Sequence, residues 1–297
     1  MFRYFRLDPT NTGPADAQEE VTLSVRNLLR DPTTAAPLRH FNDLPRGLKE
    51  RGLRVLVPPT LLTRFDISPI NWQDHESVAR VHVVAEPASS TLTVTAALGP
   101  DGADPFYTLE LEDTSAHGIR LNWLAINNPH APRFDVDFNA QGEFLLYGLM
   151  GRNLAAEEAA LRAGLGPAQV RKGLGASGEA LAGLELFLIM LSHTAYMLEP
   201  LTYSSALIFE RRGFAYVRGH AFMDEINREF QPGGRLHAAL DGSSPFRQAV
   251  LADSIRGRAW AIHDGILAAM DRTWDGLRMI KRLGRQAGVN TAPGVPF

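Results

Sequence analysis

The sequence predicts an α+β protein in which a mostly antiparallel, sheet-rich N-terminal half packs with a helical C-terminal half. Two patterns of apolar residues lead to this fold class. From Arg54 to about Phe144, apolar and polar residues alternate with a period of two, as they do in a sheet with one solvated face. After Gly142 the apolar residues recur at the spacing of helices instead. With 297 residues the chain is long enough to bury a substantial core.

Residues 1–50 are predicted to form an N-terminal extension with one helix. The region is rich in proline, aspartate, arginine and threonine. The helix is predicted around Glu19–Arg30, from the amphipathic spacing of its apolar residues Val21, Leu23, Val25, Leu28 and Leu29.

Residues 51–144 are predicted to be the sheet-rich region. Glu-Pro, Gly-Pro-Asp-Gly and Asn-Asn-Pro turns separate its alternating segments, and turns of this kind connect neighbouring strands. The strands are predicted at Val81–Val84, Leu92–Ala97, Tyr107–Glu112, Ile119–Ile126 and Phe134–Phe138.

Residues 145–297 are predicted to be helical and to hold the functional site. Asn153 is a suitable N-cap for the first helix, Pro200 ends a long apolar one, and Ser244 followed by Pro245 begins another. The helices are predicted at 153–163, Pro167–Leu174, Glu179–Leu198, Thr202–Arg212, Gly219–Phe230, Pro245–Ile255 and Arg258–Gly284.

The composition argues against several classes of protein. Thirty lysine and arginine residues against 33 aspartate and glutamate residues leave no basic excess for binding nucleic acid. There is no cysteine, so disulfides, thiolate metal sites and cysteine nucleophiles are excluded. The charged N-terminus and the shortness of the longest apolar run, Leu186–Leu191, predict no signal peptide and no membrane span. A soluble, cytoplasmic protein is therefore expected.

Two histidines are the first candidates for function. His193 and His263 are each predicted on a helix with apolar neighbours three and four residues away, so both are expected to have little solvent exposure. With a carboxylate such as Glu225 they would bind a divalent metal ion (Fe, Mn or Zn) that activates water or dioxygen. The alternative is that each is a neutral core histidine, because no Glu-x-x-His or His-Glu-x-x-His motif is present.

The loop 231–247 is the best candidate for an active-site loop. It combines paired glycines with His237, Asp241, two serines and Arg247. His237, Asp241 and Arg247 are the predicted catalytic residues, of which His237 and Arg247 would orient the substrate. Arg247 and backbone amides near Ser244 would hold a carboxylate or phosphate group. The alternative is a well-capped connection without a catalytic role.

These residues favour an enzyme with a His/carboxylate site in the helical half that acts on a small, largely apolar molecule. A metal-dependent oxidoreductase or hydrolase is the class that such a site suits. A non-catalytic binding or assembly module, with its partner surface on the sheet-rich half, is a separate hypothesis. The substrate, the reaction and the oligomeric state are left open by these patterns.

One segment of the chain, residues 173–216, resembles part of the GCN5-type acyl-CoA N-acyltransferases. Its first motif is Gly173-Leu-Gly175, a glycine-rich turn that precedes a predicted helix. The second is Ser205-Ala-Leu-Ile-Phe209-Glu-Arg-Arg-Gly213-Phe214, which is similar to the second motif of that family. The resemblance covers under a sixth of the chain.

The resemblance implies an acyltransferase that uses CoA. It implies that backbone amides around Gly173, Gly175 and Ala176 bind the pyrophosphate. Phe209 stands where a tyrosine acid is common in the family, and its phenyl ring cannot serve as that acid. Val170 stands where the family has arginine or glutamine.

Overall fold

A computed structural model describes residues 35–99, 104–116, 118–144 and 151–297 of the chain. The helix predicted around Glu19–Arg30 lies outside these residues. The described residues belong to two compact units, each drawn from separate stretches of the chain. The first unit comes from the described parts of Met1–Pro129, Gly173–Leu198 and Arg282–Gly284, and the second from those of His130–Lys172, Glu199–Lys281 and Arg285–Phe297.

The chain combines short helices with short strands, which confirms the predicted α+β class. Within the units, the described strands form four antiparallel pairs and one parallel pair. None of the helices in the described part of the chain has both the length and the apolar character needed to span a bilayer. The strands are β1 (Val81–Val84), β2 (Thr91–Ala96), β3 (Tyr107–Asp113), β4 (Ile119–Ile126), β5 (Ala195–Leu198), β6 (Ala215–Arg218) and β7 (Arg278–Arg282). The helices are α1 (Leu38–Asn42), α2 (Arg46–Leu53), α3 (Pro59–Arg64), α4 (Leu154–Arg162), α5 (Ser177–Met190), α6 (Tyr203–Arg211), α7 (His220–Glu229), α8 (Arg235–Ala238) and α9 (Ile255–His263).

In the first unit, β1 to β4 form an antiparallel meander, and β5 joins it parallel to β4. Alternate residues of β1, β2 and β3 are buried, so one face of the sheet packs against the core and the other is polar. β1 and β4 have the predicted bounds, and the bounds of β2 and β3 differ from the predicted ones by one residue. The predicted one-sided sheet is therefore confirmed in this unit.

Three helices that the sequence patterns did not predict precede the sheet. α1, α2 and α3 have five, eight and six residues, and helices so short hardly show a 3.6-residue period. They pack near the buried face of the sheet, where the Tyr107 hydroxyl of β3 donates to the Leu56 carbonyl oxygen at 2.5 Å. Phe41 of α1 packs edge-to-face on Phe187 of α5 with ring centroids 4.9 Å apart. These contacts hold α1 and α5 in one core.

The single long helix predicted over Glu179–Leu198 is in fact two elements. α5 ends at Met190, Ser192 adopts a left-handed conformation with φ 62°, and β5 follows at Ala195. The residues of β5 form a strand because they pair with β4, a partner far away in the sequence. Tertiary pairing overrides the helical pattern here.

Other predictions in the C-terminal half also need correction. In place of the helix predicted over Pro245–Ile255, the chain forms a short 3-10 helix at Ala249–Asp253. The Ser244 hydroxyl accepts a hydrogen bond from the backbone amide of Phe246 and does not cap a helix. Short polar side chains compete with helices in this way. α9 ends early in the predicted helix Arg258–Gly284, whose last part contains β7. No helix forms over Pro167–Leu174 and no regular strand over Phe134–Phe138.

The core of the second unit is built around Trp260 of α9. Its indole is fully buried, and Nε1 donates to the Leu165 carbonyl oxygen at 2.7 Å. The ring stacks on Phe246 with centroids 5.2 Å apart. Ala160 of α4 belongs to the same cluster of buried residues. These contacts fix α9, and with it the residues at its C-terminal end.

Candidate functional site

The parallel strands β4 and β5 of the first unit separate after a short stretch of pairing. Their paired residues run from Ile119 opposite Tyr196 to Leu121 opposite Leu198. β5 ends there, whereas β4 continues for five more residues and pairs with β3 on its other edge. In the described part of the chain, no other strand takes the place of β5 beside residues 122–126. This edge of β4 therefore offers backbone N–H and C=O groups to an extended ligand.

β4 has a bulge at the point where it leaves β5. Glu110 and Leu111 are consecutive on β3, but their partners on β4 are Trp123 and Leu121, so Asn122 is the extra residue. A bulge bends its strand and redirects side chains, and bulges are common beside functional sites. The free edge of β4 therefore begins at a bend.

A glycine-rich loop lies at the carboxyl end of β4 and leads directly into α5. Gly173 forms a single antiparallel bridge with Asn127, the residue after β4. Gly175 has φ 76°, a left-handed conformation that favours glycine. Apart from its chain neighbours, no atom of the residues that the structure describes lies within 4 Å of the position that a Cβ would occupy at Gly175. The loop 173–176 therefore has open space beside its backbone.

The N-terminus of α5 is suited to an anion. The helix has 14 residues, and its N-cap residue, Ala176, supplies no side-chain cap. Amides of the first turn and the helix dipole favour a phosphate group at this end. The acidic side chain of the first turn, Glu179, accepts hydrogen bonds from the backbone amide of Thr60 at 3.3 Å and from its hydroxyl. Gly173 thus lies at the carboxyl end of β4, and the carboxyl ends of parallel strands are where α/β sheets commonly bind ligands.

His193 lies in the turn between α5 and β5, so the prediction that it occupies a helix is wrong. It is 6% exposed, and its predicted burial is confirmed. Its Nε2 donates to the Ala36 carbonyl oxygen at 2.9 Å. Burial lowers the pKa of the imidazole and keeps the ring neutral at pH 7. His193 therefore ties the chain at Ala36 to the end of α5.

His263 is the last residue of α9, and its side chain is 39% exposed, so the prediction of low exposure is wrong. The prediction assumed that the helix continues and covers the ring from its next turn, but α9 ends at this residue. Its Nε2 lies 3.2 Å from Oε1 of the buried Glu157. Its ring packs edge-to-face on Trp260 with centroids 5.7 Å apart. One side of His263 is held by the protein, and the other faces solvent.

Glu157 and Asp264 are the carboxylates of a polar network around Arg152. The guanidinium of Arg152 donates to Glu157 from Nε at 2.9 Å and to Asp264 from Nη1 at 2.9 Å. Asp264 also accepts from the Ser244 hydroxyl at 2.9 Å and from Arg247 Nε at 3.0 Å. Burial opposes the ionisation of both carboxylates, but the hydrogen bonds outweigh burial and lower the pKa of each. Both carboxylates are therefore ionised at neutral pH.

The three residues predicted to be catalytic are placed differently from one another. Arg247 belongs to the network around Arg152. Asp241 is exposed, and its carboxylate accepts a hydrogen bond from the Ser243 amide at 3.0 Å. His237 is half-buried on the short helix α8. Within the described residues, no hydrogen bond or ion pair joins these three side chains, and their joint role stays a prediction.

The three residues predicted to bind a metal each have a partner of another kind. Glu225 forms ion pairs with Arg235 at 3.2 Å and with Arg272 at 3.6 Å. His193 contacts a backbone carbonyl, and His263 a carboxylate. Among the residues that the structure describes, no group of three or more His, Asp or Glu side chains is arranged to hold a metal ion. The binding of a divalent metal ion stays a prediction, and no set of ligands for it is found among the described residues.

The second unit also has a groove of about 550 Å³, which lies between α4 and residues 242–251. Ser244 lines the groove and connects it to the network around Arg152 through its bond to Asp264. On the α4 side, Glu158 and Arg162 form an ion pair. Since this pair is neutral overall, the groove lacks a net charge that would select a ligand.

Two features of the first unit were missed by the sequence analysis. The separation of β4 and β5 depends on β5, which the apolar pattern placed in a helix. The bulge did leave a signal in the sequence: the large aliphatic residues of β4 change from odd numbers, Ile119 and Leu121, to even ones, Leu124 and Ile126, which pair with core residues of β3. A change of phase inside a strand indicates one inserted residue.

Comparisons with known proteins assign no family to the chain. No protein-family model matches it, no curated protein matches it in sequence, and no solved structure matches its fold. The likeness of residues 173–216 to the GCN5-type acyltransferases is therefore a resemblance of motifs and not a shown membership of that family.

Proposed function

We propose that the chain is an acyl-CoA-dependent acyltransferase and that acyl-CoA binds to the first unit. The main support is the unpaired edge of β4 at residues 122–126, which begins where β5 ends and reaches the loop 173–176 at its carboxyl end. The free edge of β4, at residues 122–126, and the N-terminus of α5 lie at the same end of the parallel strand pair. Ligands of α/β sheets commonly bind at the carboxyl ends of parallel strands.

Acyl-CoA has two parts that suit these two features. Its pyrophosphate is negatively charged, which suits the amides of loop 173–176 and the positive end of the α5 dipole. Its pantetheine arm is extended and contains amide groups, which pair with a strand edge such as residues 122–126 as an added strand does. Because Gly173 bridges to Asn127, the loop and the strand edge are close enough for one ligand to contact both.

Acyl transfer to an amine requires mainly that the two reactants are positioned. The amine nitrogen attacks the thioester carbonyl carbon, a C–N bond forms and the C–S bond breaks. The proton that the nitrogen loses passes through solvent to the released thiolate, so the products are an amide and the CoA thiol. A thiolate is a much weaker base than the anion of an amine, so the sulfur leaves without a strong acid to protonate it. This chemistry is compatible with Phe209, which has no proton to donate at the position of the family's tyrosine acid.

We favour the acyltransferase over the metal-dependent enzyme and the non-catalytic module for a structural reason. The first unit provides a surface that suits both parts of acyl-CoA. The predicted metal-dependent enzyme has no ligand group among the described residues. A non-catalytic module would bind a ligand on the first unit without transferring an acyl group, so turnover of acetyl-CoA with an amine separates it from the proposed enzyme.

Acetyl-CoA is expected to raise the melting temperature of the complete chain. A ligand that binds only the folded state stabilises it by about 2.7 kcal/mol when its concentration is 100 times Kd. S-Acetylpantetheine, which lacks the pyrophosphate, is expected to give a much smaller shift at the same concentration. Thermal unfolding followed by circular dichroism measures both shifts.

Two outcomes of this measurement count against the proposal. The absence of a shift at millimolar acetyl-CoA would contradict acyl-CoA binding. Equal shifts with acetyl-CoA and S-acetylpantetheine would contradict the role of loop 173–176 in binding the pyrophosphate.

A further inference from the structure

Two side chains on the polar face of the first unit's sheet form a pair that acyl-CoA binding does not use. Trp123 of β4 lies directly opposite Glu110 of β3. Opposite residues of antiparallel strands point to the same face, with Cβ atoms about 5 Å apart. Glu110 is half-buried, whereas Trp123 is 40% exposed. A carboxylate and an aromatic ring are therefore neighbours on an accessible surface.

The next carboxylate along β3, Glu112, is already neutralised by the protein. It accepts hydrogen bonds from Asn122 Nδ2 at 3.0 Å and from Arg120 Nη2 at 2.6 Å. These two bonds lower the pKa of Glu112. Glu110 differs, because within the described residues its carboxylate makes no hydrogen bond and no ion pair. Its negative charge has no compensating partner there.

We infer that Glu110 and Trp123 form a binding site for an organic cation that carries an ammonium or guanidinium group. The face of a tryptophan ring attracts cations more strongly than that of other aromatic residues. The carboxylate supplies the opposite charge and accepts N–H donors. A metal ion is less suited to this pair, since magnesium and calcium require several oxygen ligands.

The pair lies on the strand to which acyl-CoA is proposed to bind. Trp123 is the second residue after Leu121, where the pairing of β4 with β5 ends. A cationic group held by Trp123 is therefore next to the free edge of β4, and we assign it to the acceptor of the acyl group. The acceptor then carries this charge in addition to the nitrogen that reacts, because the reacting nitrogen must be neutral. This assignment rests on the proposed function, whereas cation binding itself does not.

Titration of the complete chain with butylguanidinium, followed on the 15N–1H signals of the tryptophan indoles, tests the site. The chain has four tryptophans, and the variant Trp123→Phe identifies the signal of Trp123. N-Butylurea has nearly the same shape without the charge and is the matched control ligand. Butylguanidinium is expected to shift the Trp123 signal in a saturable way, and N-butylurea is not. The buried indoles of Trp72 and Trp260 are internal controls.

Variants of two carboxylates sharpen the test. Glu110→Gln is expected to weaken butylguanidinium binding by at least about threefold. Glu76→Gln removes a carboxylate that is 67% exposed on a loop of the same unit and is expected to leave binding unchanged. Equal shifts with both ligands, no saturable shift up to about 50 mM, or unchanged binding in Glu110→Gln would overturn the cation site.

In a separate titration of the same samples, acetyl-CoA binding is measured. A chain that binds butylguanidinium but not acetyl-CoA contradicts the proposed function and supports the cation site. A chain that binds acetyl-CoA but not butylguanidinium contradicts the cation site and supports the proposed function.

Discussion

Replacing Arg152 with methionine is expected to lower the free energy of unfolding by about 2–4 kcal/mol at pH 7. The substitution keeps much of the apolar side chain but removes the guanidinium that bridges Glu157 and Asp264. The side chain of Glu157 is 3% exposed, so its charge would remain in a poorly solvated place with His263 as its partner. Urea unfolding followed by circular dichroism measures the difference between wild type and variant.

Two controls accompany this measurement. Arg162→Met removes an arginine that is 73% exposed and pairs with Glu158 one turn earlier, and it is expected to change stability by less than about 0.5 kcal/mol. Acidification is the second control. The pKa values of Glu157 and Asp264 are lowered in the folded protein, so the stability they contribute is present above their ordinary pKa values and is lost as pH falls through the lowered ones. The effect of Arg152→Met is therefore expected to shrink below about pH 4, and an effect no larger than that of Arg162→Met at pH 7 would contradict the stabilising role of the network.

Replacing Gly173 with leucine is expected to weaken acetyl-CoA binding at least tenfold, which is about 1.4 kcal/mol. A Cβ at this position would lie 3.3 Å from the carbonyl oxygen of Ile126, a close contact that requires a shift of a few tenths of an ångström. The rest of the leucine side chain then occupies the space beside the loop 173–176, where the pyrophosphate is proposed to bind. Isothermal titration calorimetry of the complete chain measures Kd.

Gly47→Leu is the matched control for this variant. Gly47 lies exposed in the first turn of α2, and within the described part of the chain no atom beyond its own surroundings in the helix lies within 4 Å of the position that a Cβ would occupy. This variant is expected to keep the affinity of the wild type for acetyl-CoA. If Gly173→Leu binds acetyl-CoA as tightly as Gly47→Leu does, the pyrophosphate is bound elsewhere.

Strands with one buried and one polar face could be predicted from the sequence. Their period of two follows from the geometry of the strand itself, so Val81–Val84 could be placed without knowledge of its partner. The start of α4 could also be predicted, because its cap is local. The Asn153 side chain accepts a hydrogen bond from the Ala156 amide three residues later.

Elements defined by distant partners could not be predicted in the same way. The run 179–198 is apolar on nearly every side, and such a run does not distinguish a buried helix from a buried strand. Residues Ala195–Leu198 form a strand because β4 is available to pair with them. The position of His193 was wrong for this reason, since it depended on a helix that ends at Met190.

The candidate site combines features with a local sequence signal and features that depend on distant partners. Gly173 and Gly175 could be singled out from the sequence because glycine-rich turns before helices are a local signal. The pairing of Glu110 with Trp123 depends on the bulge at Asn122. If Asn122 paired with Glu110 instead of bulging, Trp123 would lie opposite Leu109 on the buried face of the sheet, because a one-residue slip moves every side chain to the other face. The proposed cation site therefore depends on the register of β3 and β4, which could not be predicted from the sequence.

Amide hydrogen exchange of the complete chain, with and without saturating acetyl-CoA, tests the proposed binding site most directly. Exchange is expected to slow within residues 122–126, whose free edge gains a partner, and within residues 173–178, whose amides gain the pyrophosphate. Residues 242–251, which line the groove of the second unit, are expected to exchange as before. Unchanged exchange at 122–126 and 173–178, or slowing confined to 242–251, would contradict acyl-CoA binding on the first unit.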